Sequence, residues 1–170
     1  GRVRVVIESV KPSVDAGRFP VKRIVGDLLV VEADCFADGH DVVACELLHR
    51  RDASQPWSTK PMLALGNDRW RADVQLDAIG AWQYTVRAWV DPFQSWHHDF
   101  ERRIDLEDVR VAALTGATLI AQAAERAKGS PEADALSAWS HELAQAVKAD
   151  APIETLKALG QDELRVPLAV

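Results

Sequence analysis

The residues in this chain best suited to chemistry are its indoles. Six tryptophans stand against one tyrosine, and an indole can stack on the apolar CH face of a sugar ring or fill a protein interface. Trp70 and Trp82 fall at core parity in their segments and are read as packing. Trp89 and Trp96 fall at the opposite parity, which points to an interface with another part of a larger protein ahead of incidental packing or a sugar contact. Trp57 follows the loop Asp52-Ala53-Ser54-Gln55-Pro56 and suits either the core or the surface, and Trp139 lies in an apolar helical seam. Trp89, Trp96, Trp57 and Trp139 are therefore the candidate interface or glycan contacts.

Other chemistries find little footing. Covalent catalysis needs an activated Ser or Cys with a base in reach, and its GxSxG elbow is not in the sequence. Neither a P-loop nor a GxGxxG is present, so nucleotide chemistry has no foothold. His97 and His98 fall in a segment read as a strand, where neighbours point to opposite faces and cannot grip one metal. His40 and His49 have no companions at metal-ligand spacing. Carboxylate pairs such as Asp34 with Asp38, or Glu101 with Asp105, suit glycosidase chemistry, but 26 acids in 170 residues make such pairs inevitable. No catalytic residue, metal site or cofactor is expected. Cys35 and Cys45 lack CxxC spacing and read as reduced, buried thiols. Tyr84 follows Leu76-x-x-x-Gly80 as in a tyrosine corner, its hydroxyl bonding to backbone upstream.

The elements that carry these residues follow from periodicity. With 48% apolar residues, the chain has a globular composition, and no run approaches the roughly 18 apolar residues of a membrane span. A net charge of −6 without a Lys/Arg cluster speaks against nucleic acid and anionic membranes as partners. Residues 1–105 repeat with a period near two between turn-forming clusters, giving about seven or eight strands and an immunoglobulin-like β-sandwich. The segments are Val3 to Ser9, Val21 to Val25, Leu28 to Phe36, Asp41 to Arg50, Trp57 to Leu63, Trp70 to Leu76, Trp82 to Val90 and Gln94 to Ile104. Leu29, Val31, Ala33 and Cys35 share an inward face, as do Trp70, Ala72, Val74 and Leu76, and Trp82, Tyr84, Val86 and Ala88.

Residues 106–161 change to a helical period and form a small antiparallel bundle. Its first helix ends at Gly129, its second starts at Ser130-Pro131 with the stripe Leu136, Trp139, Leu143 and Val147, and a third closes at Gly160. The alanine-rich first helix buries little area, so the bundle is expected to lean on something. Residues 162–170 are expected to be extended, and their apolar, uncapped end suggests that the chain continues. The start shows no initiator Met and no signal peptide, which favours a cytoplasmic origin.

Four blocks then carry a resemblance: FPVKRIVGD from Phe19, VVEADCFADGHDVVA from Val30, LGNDRW from Leu65 and GAWQYTVRAWVDPFQSWHHD from Gly80. They resemble the N-terminal region of bacterial α-1,4-glucan:maltose-1-phosphate maltosyltransferases, enzymes of the α-amylase superfamily. The resemblance covers nearly the whole chain, the helices matching in less specific sequence. It implies a cytoplasmic homodimer in which a (β/α)8 barrel, beginning after Val170, passes maltosyl units from maltose 1-phosphate to an α-glucan. The barrel motifs have no matching positions here, so no catalytic residue carries over. The sandwich and helices would then be a non-catalytic scaffold that packs on the chain's own C-terminal barrel and helps form the dimer. The alternative is an accessory module that binds α-glucan on exposed indoles.

Overall fold

The computed structural model of the protein describes residues 5–170. Two compact units divide the chain, the first reaching Val90 and the second running from Asp91 to Val170.

The first unit contains two antiparallel sheets around one core. Strands β1 (Val5–Lys11), β2 (Leu28–Ala37), β6 (Arg69–Gln75) and β5 (Leu63–Gly66) form one sheet in the order β1-β2-β6-β5. Strands β4 (Ser58–Pro61), β3 (Val43–Arg50) and β7 (Gln83–Val90) form the other in the order β4-β3-β7. Alternation does what the sequence requires of it. Leu29, Val31, Ala33 and Cys35 of β2 are buried and face Ala72 and Val74 of β6, Cys45 and Leu47 of β3 and Val86 of β7 in one cluster. Trp70, Trp82, Tyr84 and Ala88 pack against that cluster from its edges.

Two sequence expectations in this unit are corrected. Val21 to Val25 is not a strand but an irregular segment, in which Ile24 and Val25 are exposed; Pro20 and Gly26 bracket it, and proline removes a ladder donor. Trp57 to Leu63 is two strands in different sheets, because the chain crosses the sandwich at Met62, which is buried and donates its N–H to the Cys45 carbonyl at 2.9 Å. The first strand begins at Val5; Val3 and Arg4, expected in it, lie outside the described residues.

The third correction is the largest. Gln94 to Ile104 is not a strand: Pro92–Arg102 is helix α1, so residues 91–105 belong with the helices rather than with the sandwich. Asp91 is its N-cap, accepting from the Gln94 N–H at 2.9 Å, and Pro92 fits the first turn. Phe93, Trp96 and Phe100 then recur at helical spacing and are all buried. The aromatic run outweighed the cap in the sequence reading.

The second unit continues with α2 (Leu106–Arg126), α3 (Pro131–Lys148), α4 (Ile153–Gly160) and α5 (Val166–Ala169). Asp105 caps α2 by accepting from the N–H groups of Glu107 and Asp108, each at 3.0 Å. Gly129 takes a φ of +94° after α2, the left-handed turn expected there. One cluster joins Phe93, Trp96 and Phe100 of α1, the alanine-rich face of α2 with Val109 and Ile120, Leu136, Trp139 and Leu143 of α3, and Leu156 of α4. The closing segment is not extended throughout, since Val166–Ala169 makes a helical turn around Pro167 and buries Ala169.

Candidate functional site

Each candidate tryptophan can now be placed. Trp96 is 8% exposed and Trp139 is fully buried, so neither offers an indole face to a sugar or to another subunit. Trp96 donates from its ring nitrogen to the Ala112 carbonyl at 2.7 Å and stacks on Phe100 with ring centres 5.0 Å apart. Trp139 donates to the Leu159 carbonyl at 2.7 Å and meets Phe93 edge-on. Both are core anchors of the helical unit, each with its one polar atom satisfied. The outward placement expected for Trp96 came from strand parity, and it fails because the element is a helix.

Trp89 and Trp57 are the two that reach the surface. Trp89 lies on β7 with its ring at the outward parity and the Arg87 guanidinium 5.8 Å from its centre. Trp57 enters β4 with the Arg50 guanidinium 4.3 Å over its ring, a cation–π contact that covers one indole face. Arg50 is itself held: its Nε donates to Gln83 Oε1 at 2.8 Å and its terminal nitrogen donates to the Ala53 carbonyl at 3.1 Å. The β3–β4 loop is thus organised around a fixed guanidinium that props Trp57 in place.

Beside it runs a groove of about 1050 Å³ within the first unit, walled by Phe19, Ile24, Trp57, Trp82 and Tyr84 among others. The charged side chains on its walls are Arg23 and Arg50. Tyr84 spans one end, donating its hydroxyl to the Pro12 carbonyl, and Trp82 donates to the Ala78 carbonyl at 3.0 Å. The tyrosine therefore ties β7 to the segment after β1, rather than to the turn just before its own strand as a tyrosine corner does. Burial raises its pKa, in keeping with a structural hydroxyl. The sequence reading missed Arg50 and the wall built by Phe19 and Ile24; the cation seven residues before Trp57 was the available signal for the former, and the latter has no periodic signal.

His97 and His98 sit on α1, where neighbours are about 100° apart rather than opposed. His97 Nδ1 lies 3.7 Å from Glu101 one turn on. Among the described residues, no three His, Cys, Asp or Glu groups are placed to hold a metal ion. His49 stacks on Trp82, ring centres 6.3 Å apart, and its pKa is lowered by burial and, to a smaller extent, by Lys60. Among the described residues, no helix is long and apolar enough to cross a membrane.

Among the described residues, these features define a two-unit β plus α module whose aromatic side chains chiefly build cores, with a groove on the first unit and two surface indoles. Residues 3–169 match the family model for alpha-1,4-glucan:maltose-1-phosphate maltosyltransferase, domain N/S, and the chain belongs to that family. It is 47% identical over 129 residues to the alpha-1,4-glucan:maltose-1-phosphate maltosyltransferase of Chlorobaculum tepidum, covering 75% of this chain and 19% of that protein. Its similarity to the protein of that name from Myxococcus xanthus is 41% over 135 residues, or 76% of this chain and 20% of the relative. For Burkholderia pseudomallei the figures are 34% over 158 residues, 92% and 14%. The chain thus spans a fifth or less of the length of these relatives.

Proposed function

We propose that this chain is the non-catalytic, N-terminal scaffold and dimerisation part of a cytoplasmic maltosyltransferase that elongates α-1,4-glucan from maltose 1-phosphate. Its partners are the catalytic barrel of its own polypeptide and a second copy of the whole protein. The observation that carries this reading is the apolar surface left on both units. Ile24, Leu63 and Ile79 on the first, and Ile104, Val111 and Leu164 on the second, are each at least 66% exposed, and exposed apolar surface is where further protein packs. The strand order also supports the immunoglobulin type, with β4 as an added strand beside the sheet of β3 and β7. In the whole enzyme, Trp89→Ala together with Val111→Asp is expected to lower the melting temperature and shift the dimer toward monomer in light scattering. Unchanged mass and melting remove the proposal.

The second reading is an α-glucan-binding accessory role, favoured by Trp57 alone. It is exposed, fixed from one side by Arg50 and set on the groove wall. Titrating this chain with maltoheptaose while following tryptophan emission tests it: saturable quenching lost in Trp57→Ala supports glucan binding, and a flat response removes it.

A further inference from the structure

The chain has two cysteines, and they belong to different sheets. Cys35 is on β2 and Cys45 on β3, both on inward faces of the sandwich, with 1% and 4% of their surfaces exposed. Both lie in the one apolar cluster buried between the two sheets, close enough that each thiol shifts the ionisation of the other. Both are free thiols. Two neighbouring thiols on inward faces of opposed sheets are what a disulfide between the sheets needs.

We propose that Cys35 and Cys45 form an oxidation site, which a hydroperoxide converts into a disulfide that staples one sheet of the sandwich to the other. Hydrogen peroxide is the oxidant that fits, being small and uncharged, whereas a bulky charged disulfide such as oxidised glutathione cannot reach sulfurs this deeply buried. In the first step the Cys35 sulfur, as thiolate, attacks one peroxide oxygen. The O–O bond breaks, a sulfenic acid forms, and the departing hydroxide takes up the thiol proton as water. In the second step the Cys45 sulfur attacks the sulfenic sulfur, the S–O bond breaks, and hydroxide leaves with the Cys45 proton as a second water. Two thiols and one peroxide give one disulfide and two waters, with two electrons passing from sulfur to oxygen. Cys35 goes first because the neighbouring Cys45 thiol lowers its pKa, whereas Cys35 raises that of Cys45. Burial raises both thiols, so the site reacts slowly, as a cumulative lock rather than a fast sensor.

The sequence makes the product easy to read. No Lys or Arg lies between Arg23 and Arg50, so trypsin releases both cysteines in the single peptide Ile24–Arg50. Met62, the other oxidisable sulfur, falls outside it. The folded chain is treated with hydrogen peroxide, quenched with catalase, alkylated under denaturing conditions and digested. The expected result is loss of both alkylatable thiols and a peptide about 2 Da lighter than its unalkylated reduced form, restored by dithiothreitol. The oxidised protein should also melt several degrees higher, and that gain should vanish on reduction. Thiols that survive prolonged incubation in a large excess of peroxide overturn the proposal, as do sulfinic acids or chain-to-chain disulfides in place of the internal bridge. The wild-type measurement stands without a variant; Cys35→Ala and Cys45→Ala, each retaining one thiol, should show no melting gain.

Discussion

The Trp96 indole lies flat against the backbone of α2 at Gly116, so close that a Cβ there would stand 2.0 Å from Trp96 Cζ2. Real Cβ atoms never approach ring carbons this closely, so Gly116→Ala must push the indole out of a core it helps to fill. Overpacking of this kind costs about 1–3 kcal/mol. Thermal unfolding of the variant is expected to show that loss. Introducing Trp96→Leu in the same chain should remove much of the penalty of the alanine, giving a non-additive double-mutant cycle.

The two classes of tryptophan should separate in stability measurements. Trp96→Ala empties a buried site in the helical unit and should cost about 3–5 kcal/mol in denaturant unfolding. Trp89→Ala removes a surface side chain and should stay within about 0.5 kcal/mol in the isolated chain. A large loss for Trp89 would mean that its outward ring is packed, contrary to its place on β7.

Tyr84→Phe keeps the ring and deletes the hydroxyl that bonds to the Pro12 carbonyl. The expected cost is about 0.5–1.5 kcal/mol. Hydrogen exchange should localise it, with faster exchange in the segment after β1 and little change in the helical unit.

His49 sets a pH dependence. Its pKa is lowered by burial against Trp82 and, less strongly, by Lys60, so the unfolded chain binds its proton more tightly than the folded one. The stability it contributes is complete above its unfolded pKa of about 6.5 and declines as the pH falls below that through the folded value. Melting temperatures between pH 7.5 and pH 5 should therefore fall more steeply for the wild type than for His49→Gln.

What the sequence disclosed depended on how many residues repeated a signal. In β2, four successive inward positions from Leu29 to Cys35 alternate with Val30, Glu32 and Asp34, and all four are buried; one misplaced residue could not mislead that reading. The seam of Leu136, Trp139 and Leu143 was equally redundant. In α1 three aromatic residues, a type that strands also favour, masked a helical period of only three turns. Asp91-Pro92 was the decisive local mark there. The groove could not be foreseen, because Phe19, Arg50 and Tyr84 come from distant segments and only the folded chain brings them to one wall.

Between Val90, the last residue of β7, and Pro92, the first of α1, stands Asp91 alone. Its carboxylate and its carbonyl are both committed to the helix, through Gln94 and Ser95. Anyone wishing to express the first unit by itself must therefore cut within a link one residue long. A gene truncated at residue 105 would instead leave α1 attached and deprived of its neighbours, exporting Phe93, Trp96 and Phe100 as a sticky aromatic stripe; one truncated at Val90 would not.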